Sequence, residues 1–173
     1  MKRIAGKLLL LVPLSLIVLL TTAILTRKSR EEERAGRLRI LPDLVMTDLK
    51  GVEYKTAQLS PGPLMITFFH PECDYCRYEL SSLKDLGTLD SNINIFLISY
   101  ADRNQIGSFI SELEISDTGS IHIFHDPDLK LTKYFGADII PSNFIYNDSL
   151  RLVKVFKGSV KPETIFKYLN GNN

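Results

Sequence analysis

The chain has 173 residues, 45% of them apolar, with 21 Lys+Arg against 20 Asp+Glu, two cysteines and no tryptophan. That length and composition suit one folded domain and exclude a disordered tail or a multi-domain enzyme. Two cysteines exclude a disulfide-stapled scaffold and fall short of a four-ligand zinc site unless histidines join them. Charge is spread unevenly. Residues 1–40 carry nine Lys/Arg and three Glu, leaving twelve Lys/Arg and seventeen Asp/Glu to residues 41–173. An acidic body therefore follows a basic stem, and no nucleic-acid footprint is expected on the body.

The stem predicts a membrane segment. Leu8–Thr26 is uncharged throughout, and nineteen helical residues at about 1.5 Å each roughly match a hydrocarbon core about 30 Å thick. Pro13 falls in the first two turns, where lost helix bonds matter least. Lys2, Arg3 and Lys7 precede the run, as in a signal peptide or signal anchor, and its length favours an uncleaved anchor. Thr21-Thr22-Ala23 offers small residues at cleavage spacing, and no cysteine follows for lipid attachment. The trailing flank, Arg27, Lys28, Arg30, Arg34, Arg37 and Arg39, is more basic than the leader. Simple counting would hold that flank inside; the shape of the leader and the chemistry below place the body outside. Residues 27–40 read as a charged, solvated tether.

The body alternates strands and helices. Leu44–Asp48 and Val52–Leu59 around Lys50-Gly51 predict a small hairpin. Ser60-Pro61-Gly62-Pro63 is a loop before Leu64–Phe69, an unbroken apolar run of the kind a strand buried on both faces needs. Cys76, Leu80, Leu83 and Leu86 recur at helical spacing, and Ile93–Tyr100 is a second buried strand. Asp102 caps a helix striped by Ile106, Phe109, Ile110 and Leu113. Ile121–His125 is a strand, Asp126-Pro127 starts a short helix and Gly136 stops it. Phe144–Tyr146 and Leu152–Phe156 flank the turn Asn147-Asp148-Ser149, and Lys161-Pro162-Glu163 opens a last helix with Ile165, Phe166 and Leu169 inward. The order β-β, then β-α-β-α-β-α-β-β-α, predicts an α/β fold with helices on both faces of a mixed sheet.

The chemistry lies in Cys73-Asp74-Tyr75-Cys76. Two cysteines three apart, directly after a buried strand and in the first turn of a helix, can close a disulfide across one turn. Unpaired amides and the dipole at that helix start favour a thiolate. Cys73, at the exposed end, is the expected attacking sulfur, and Cys76, one turn in, the resolving one. An inert pair or half a zinc knuckle is the bland alternative. No second Cys pair completes a metal site, and His122 and His125 point to opposite faces of one strand. No metal and no cofactor is expected.

Phe68-Phe69-His70-Pro71-Glu72-Cys73-Asp74-Tyr75-Cys76, together with Gly136-Ala137-Asp138-Ile139-Ile140-Pro141 and the strand Ser142–Tyr146, resembles the thioredoxin superfamily. The likeness is to the membrane-anchored TlpA/ResA-like thiol–disulfide oxidoreductases, related to the redoxins, and covers about residues 41–170. It implies a thioredoxin-like three-layer fold with an added N-terminal hairpin, matching residues 44–59. It also implies that Pro141 is cis and packs against the redox pair, with the Ile140 backbone pairing to a substrate's cysteine segment. Taken alone, an Ile-Ile-Pro-Ser junction before a strand could equally be a trans turn. The resemblance makes Glu79 a carboxylate that tunes the thiols and relays protons; the bland reading is a solvated helix carboxylate pairing with Arg77 or Lys84.

The chain departs from that pattern in places. Glu72 stands where relatives usually have tryptophan, and Thr67 stands where thioredoxin has a buried aspartate, so Thr67 supplies no carboxylate base. His70 is either a thiolate neighbour able to move protons or a strand-end histidine. Glu72 and Asp74 flank Cys73 with only Arg77 opposing, which disfavours a thiolate and points to a reductant or isomerase-like partner.

The reading is therefore a single-pass protein of the inner membrane. Its extracytoplasmic domain would reduce disulfides of other proteins and be re-reduced by an unidentified membrane or periplasmic donor. Two alternatives use the same fold or residues. A peroxiredoxin-type peroxidase would have Thr or Ser where His70 stands and Pro where Ile66 stands; a Sco-like copper protein would spread its cysteines by one more residue and recruit His122 or His125.

Overall fold

The computed structural model describes residues 2–82, 92–116 and 120–171, with side chains of the first helix from Ser15 onward. Leu83 and Leu86 of the expected apolar stripe lie outside these residues. The chain divides into two units, residues 1–37 and 38–173.

The first unit is helical: α1 spans Lys2–Leu38 and continues through Thr26 into the charged stretch expected to be a tether. Arg27–Glu31 (3.4 Å) and Lys28–Glu32 (3.8 Å) pair at helical i,i+4 spacing along it. Among the described residues no helix is long and apolar enough to cross a membrane. The side chains of residues 8–14, the first part of the apolar run, are outside that set.

The body begins at buried Leu38. A two-stranded antiparallel hairpin, β1 (Val45–Thr47) and β2 (Glu53–Lys55), precedes a 3₁₀ turn at Thr56–Gln58. Asp48 closes the hairpin by accepting the Lys50 and Val52 amides at 2.8 and 2.7 Å, with Gly51 at positive φ between them. The main sheet has the order β5-β4-β3-β6-β7. Its strands are β3 (Leu64–Phe68), β4 (Asn94–Ser99), β5 (Ile121–His125), β6 (Ser142–Tyr146) and β7 (Leu152–Lys157). β3, β4 and β5 run parallel, whereas β6 and β7 are antiparallel additions. The helices are α2 (Asp74–Ser81), α3 (Arg103–Glu112), α4 (Lys130–Phe135) and α5 (Pro162–Leu169). The mixed sheet and the element order match the sequence expectation.

Strand alternation assigns the two faces. Met65, Ile95, Leu97, Ile121, Ile123 and Ile145 face one core with residues of α2, α3 and α5. Leu64, Ile66, Phe68, Ile98, Phe144 and Tyr146 face the other, against Phe135 of α4 and Met46 of the hairpin. By the same parity Thr67 and Asn143 fall on the α2 side, both fully buried and opposite each other in the β3–β6 register.

One local expectation fails. Asp126-Pro127 does not open a helix; α4 begins only at Lys130, after Leu129 in the left-handed region (φ 56°). The Asp126 carboxylate instead reaches forward to accept the Leu131 and Thr132 amides (3.1 and 2.8 Å) and the Thr132 hydroxyl (2.7 Å). It caps the helix from four residues upstream, so its residue type was informative but its position was not. Gly136 does end that helix, at φ 67°.

Candidate active site

Cys73 is the N-cap of α2, with extended backbone at φ −95° and ψ 109°. Its sulfur accepts the Cys76 backbone N–H at 3.2 Å, meeting one of the donors that a first helical turn leaves unpaired. The bend is pinned from both sides: Cys73 N–H donates to the His70 carbonyl, and Arg77 N–H donates to the Cys73 carbonyl, each at 3.0 Å. A cysteine here takes the place that Ser or Asp takes at most helix starts. Spacing of three then returns Cys76 one turn behind it.

The two sulfurs differ in environment. Cys73 is half-buried, whereas Cys76 is 0% exposed, and the pair is unbridged in this structure. Burial pushes the Cys76 thiol far above its ordinary range; its hydrogen bond with Cys73 adds to this, a His70 backbone hydrogen bond opposes it, and the nearby charges of Cys73 and Glu79 add again. Cys76 consequently keeps its proton at neutral pH until a base takes it. Cys73 is reachable from solvent, and Cys76 is not.

Glu79 is not a solvated carboxylate. It is 1% exposed, and Arg77 pairs with Glu112 instead; Lys84 lies outside the described residues. Its Oε1 accepts the Asn143 side-chain amide at 2.8 Å and its Oε2 the Val160 backbone N–H at 3.1 Å. Burial raises its pKa, and those two hydrogen bonds pull it back. Three residues after Cys76, it lies on the same side of α2. Asn143 is held in turn: its Oδ1 accepts the Thr67 hydroxyl at 2.7 Å. Thr67, where a thioredoxin would carry a carboxylate, thus anchors the amide that anchors one. Sequence reasoning missed Asn143 and Val160. A polar Asn inside the strand run Ser142–Tyr146 was a usable signal for the former; a backbone donor leaves none.

His70 is half-buried beside the cysteines. Its Nδ1 accepts the Glu72 amide at 3.3 Å, and its ring lies 5.1 Å from that of Tyr100. Glu72 and Asp74 are exposed. Arg77, the expected counter-charge to them, is committed elsewhere: it pairs with Glu112 at 2.7 Å and lies 5.0 Å over the Phe109 ring.

The Ile140–Pro141 peptide bond is cis. The register Phe68↔Ser142 brings this junction to the end of β3 from which the Cys73 loop departs. Pro141 is buried, Ile140 and Cys73 each pack against the core that holds Cys76, and the Ser142 hydroxyl donates to the Ile139 carbonyl. The two remaining histidines are not brought there. His122 lies among Tyr54, Phe96 and Phe124, and His125 accepts from Arg103 at 3.0 Å. Both are on β5, with β4 between them and β3.

A thiol pair at a helix start, opposite a cis-proline junction, sits on a five-stranded mixed sheet, and residues 39–155 match the model of the AhpC/TSA family. The chain belongs to that family. No curated protein sequence matches it. Among solved structures, this AhpC/TSA-family chain is similar to a secreted Mycobacterium tuberculosis disulfide oxidoreductase homologous to E. coli DsbE. That match has a TM-score of 0.66 at 18% identity, over 79% of this chain and 98% of that one. It is also similar to a putative thiol:disulfide interchange protein DsbE from Chlorobium tepidum (TM-score 0.68, 11% identity, 79% and 96% covered). A third is StoA from Bacillus subtilis (0.58, 17%, 75% and 98%). At such identities the likeness establishes the thioredoxin-like fold.

Proposed function

We propose that the protein is a thiol–disulfide oxidoreductase that reduces disulfides of other proteins through Cys73 and Cys76. One observation carries this reading: a half-exposed sulfur accepts an amide N–H at a helix start, and the second sulfur is sealed one turn behind it. In the reaction, the Cys73 thiolate attacks one sulfur of a target disulfide. That bond breaks, a Cys73–target mixed disulfide forms, and the first target thiolate leaves to take a proton from water. Cys76 then loses its proton and attacks the Cys73 sulfur. The Cys73–Cys76 bond forms, the second target thiolate departs and is protonated, and two electrons have passed from the pair to the target.

Glu79 is the natural acceptor for the Cys76 proton: it is the buried carboxylate whose charge already acts on that thiol. The Ile140 backbone, beside the cis junction, is the edge against which a target segment would pair. Leu8–Thr26 would anchor the chain in the inner membrane with its body on the extracytoplasmic side; the length of that run, its basic leader and the disulfide chemistry support this. A separate membrane or periplasmic donor would restore the dithiol.

Trapping tests the reading. Cys76→Ser expressed in the native host should hold target proteins as mixed disulfides on Cys73, released by reductant, whereas Cys73→Ser should hold none. An equal and empty yield from both variants would count against exchange chemistry.

A further inference from the structure

Asn143 has no part in the chemistry just described, yet three fixed contacts converge on it and on the carboxylate it touches. Thr67 on β3 and Asn143 on β6 are cross-strand partners, both with no solvent exposure. The Thr67 hydroxyl donates to Oδ1 of Asn143, and this leaves the Nδ2 end directed at Glu79. The amide therefore cannot flip without placing its oxygen against a carboxylate oxygen. The other carboxylate oxygen is taken by the Val160 amide from the segment before α5. Glu79 is thus gripped by N–H donors on both oxygens, from two different elements, while its own helix presents Cys76.

We propose that Asn143 is a positioning residue for the resolving step: locked by Thr67, it orients the Glu79 carboxylate and keeps it able to take the proton of Cys76. The proposal rests on the reading of Glu79 as proton acceptor. In the step concerned, the Cys76 S–H proton passes to Glu79, giving a neutral carboxylic acid. The Cys76 thiolate displaces the target sulfur from Cys73, and Glu79 later returns the proton to solvent. Among the described residues, the groups facing Glu79 are Cys76 on its own helix, the neutral Thr67–Asn143 pair across from it and the Val160 backbone. The described residues place no cation against it. Among the described residues, the N–H donors of Asn143 and Val160 are what oppose the cost of its burial. Hydrogen bonds to a charged group are the stronger kind, so losing one leaves the buried carboxylate more readily protonated.

The test follows the resolving step alone. Reduced full-length protein in detergent is mixed with 5,5′-dithiobis(2-nitrobenzoate). The first thionitrobenzoate released reports attack by Cys73, and the second reports attack by Cys76. Asn143→Ala should leave the first phase within about twofold and move the acid limb of the second upward by about one pH unit. Thr67→Val, which keeps the side-chain shape, should shift the limb in the same direction by less. Adding Asn143→Ala to Glu79→Gln should change nothing further. Should Glu79→Gln itself leave the second phase and its pH profile unaltered, the proton-acceptor reading fails and the proposal with it. A profile that Glu79→Gln alters but neither Asn143→Ala nor Thr67→Val moves overturns the proposal alone. So does a loss from Asn143→Ala that persists in the Glu79→Gln background, since a merely structural role would produce it. Thermal melting of each variant verifies folding, and Thr67→Val carries the test if Asn143→Ala does not fold.

Discussion

The backbone amide of Cys76 donates to the sulfur of Cys73 at 3.2 Å. On the proposed reading, one residue thus supports the sulfur that attacks a target and, through its own side chain, supplies the sulfur that finishes the exchange. The first task requires only a helix start, and the second requires burial. The spacing of three satisfies both.

Burial of one thiol and exposure of the other should appear in alkylation. In the native reduced protein, iodoacetamide at neutral pH should label Cys73 and leave Cys76 untouched until the chain is unfolded, because Cys76 is both inaccessible and protonated. Mass spectrometry of protein quenched before and after denaturation checks this; equal labelling of both thiols in the native state would contradict the assigned roles.

Glu79 gives the fold a signature in pH. Its folded pKa is raised, chiefly by burial, so its contribution to stability is complete below the ordinary glutamate range and is lost as pH rises through its folded value. The wild-type protein should therefore lose melting temperature across that window, with a stability loss on the order of 1 kcal/mol for every pH unit crossed within it. Glu79→Gln should be flat there. Melting curves from about pH 4 to pH 8 for both proteins make the comparison.

Arg77 is the obvious cation near Cys73, yet it is paired with Glu112 across a partly exposed surface. Arg77→Ala should cost about 1 kcal/mol or less of stability and leave the rate of Cys73 attack unchanged within about twofold. A large rate loss, measured by the first release of thionitrobenzoate, would return Arg77 to the site.

Glu72 and Asp74 flank Cys73 in the chain and are both exposed, while Arg77 is engaged with Glu112. Carboxylates beside a thiolate work against the reduced ionised form, so the couple should lie nearer about −270 mV than about −120 mV. Reversing both charges, Glu72→Lys with Asp74→Lys, should move it toward the oxidising end. Equilibration with glutathione buffers at known ratios measures both values.

Much of this was legible in the sequence because it is written in local patterns. The unbroken run Leu64–Phe69, the Cys-x-x-Cys spacing and the Asp102 cap each state their structure within a few residues. The setting of Glu79 was not legible, because its partners come from β6 and from the segment before α5, more than sixty residues away. Its solvated reading was reasonable for a helix glutamate and wrong for one whose helix face turns into the sheet. Thr67 shows the same limit. Its lack of a carboxylate was visible, and its hold on Asn143 became apparent only through the antiparallel register. The Asp126 reading failed differently: a capping side chain can reach over several residues, so the residue type marked the helix but not its first turn.

Mass measurement of the intact protein before and after one equivalent of oxidised glutathione tests the redox claim most directly. Exchange through the pair predicts loss of two hydrogens from Cys73 and Cys76 together, no lasting glutathione adduct, and full return with dithiothreitol. Two thiols that remain free and unreactive, or an adduct that Cys76 never resolves, would contradict it.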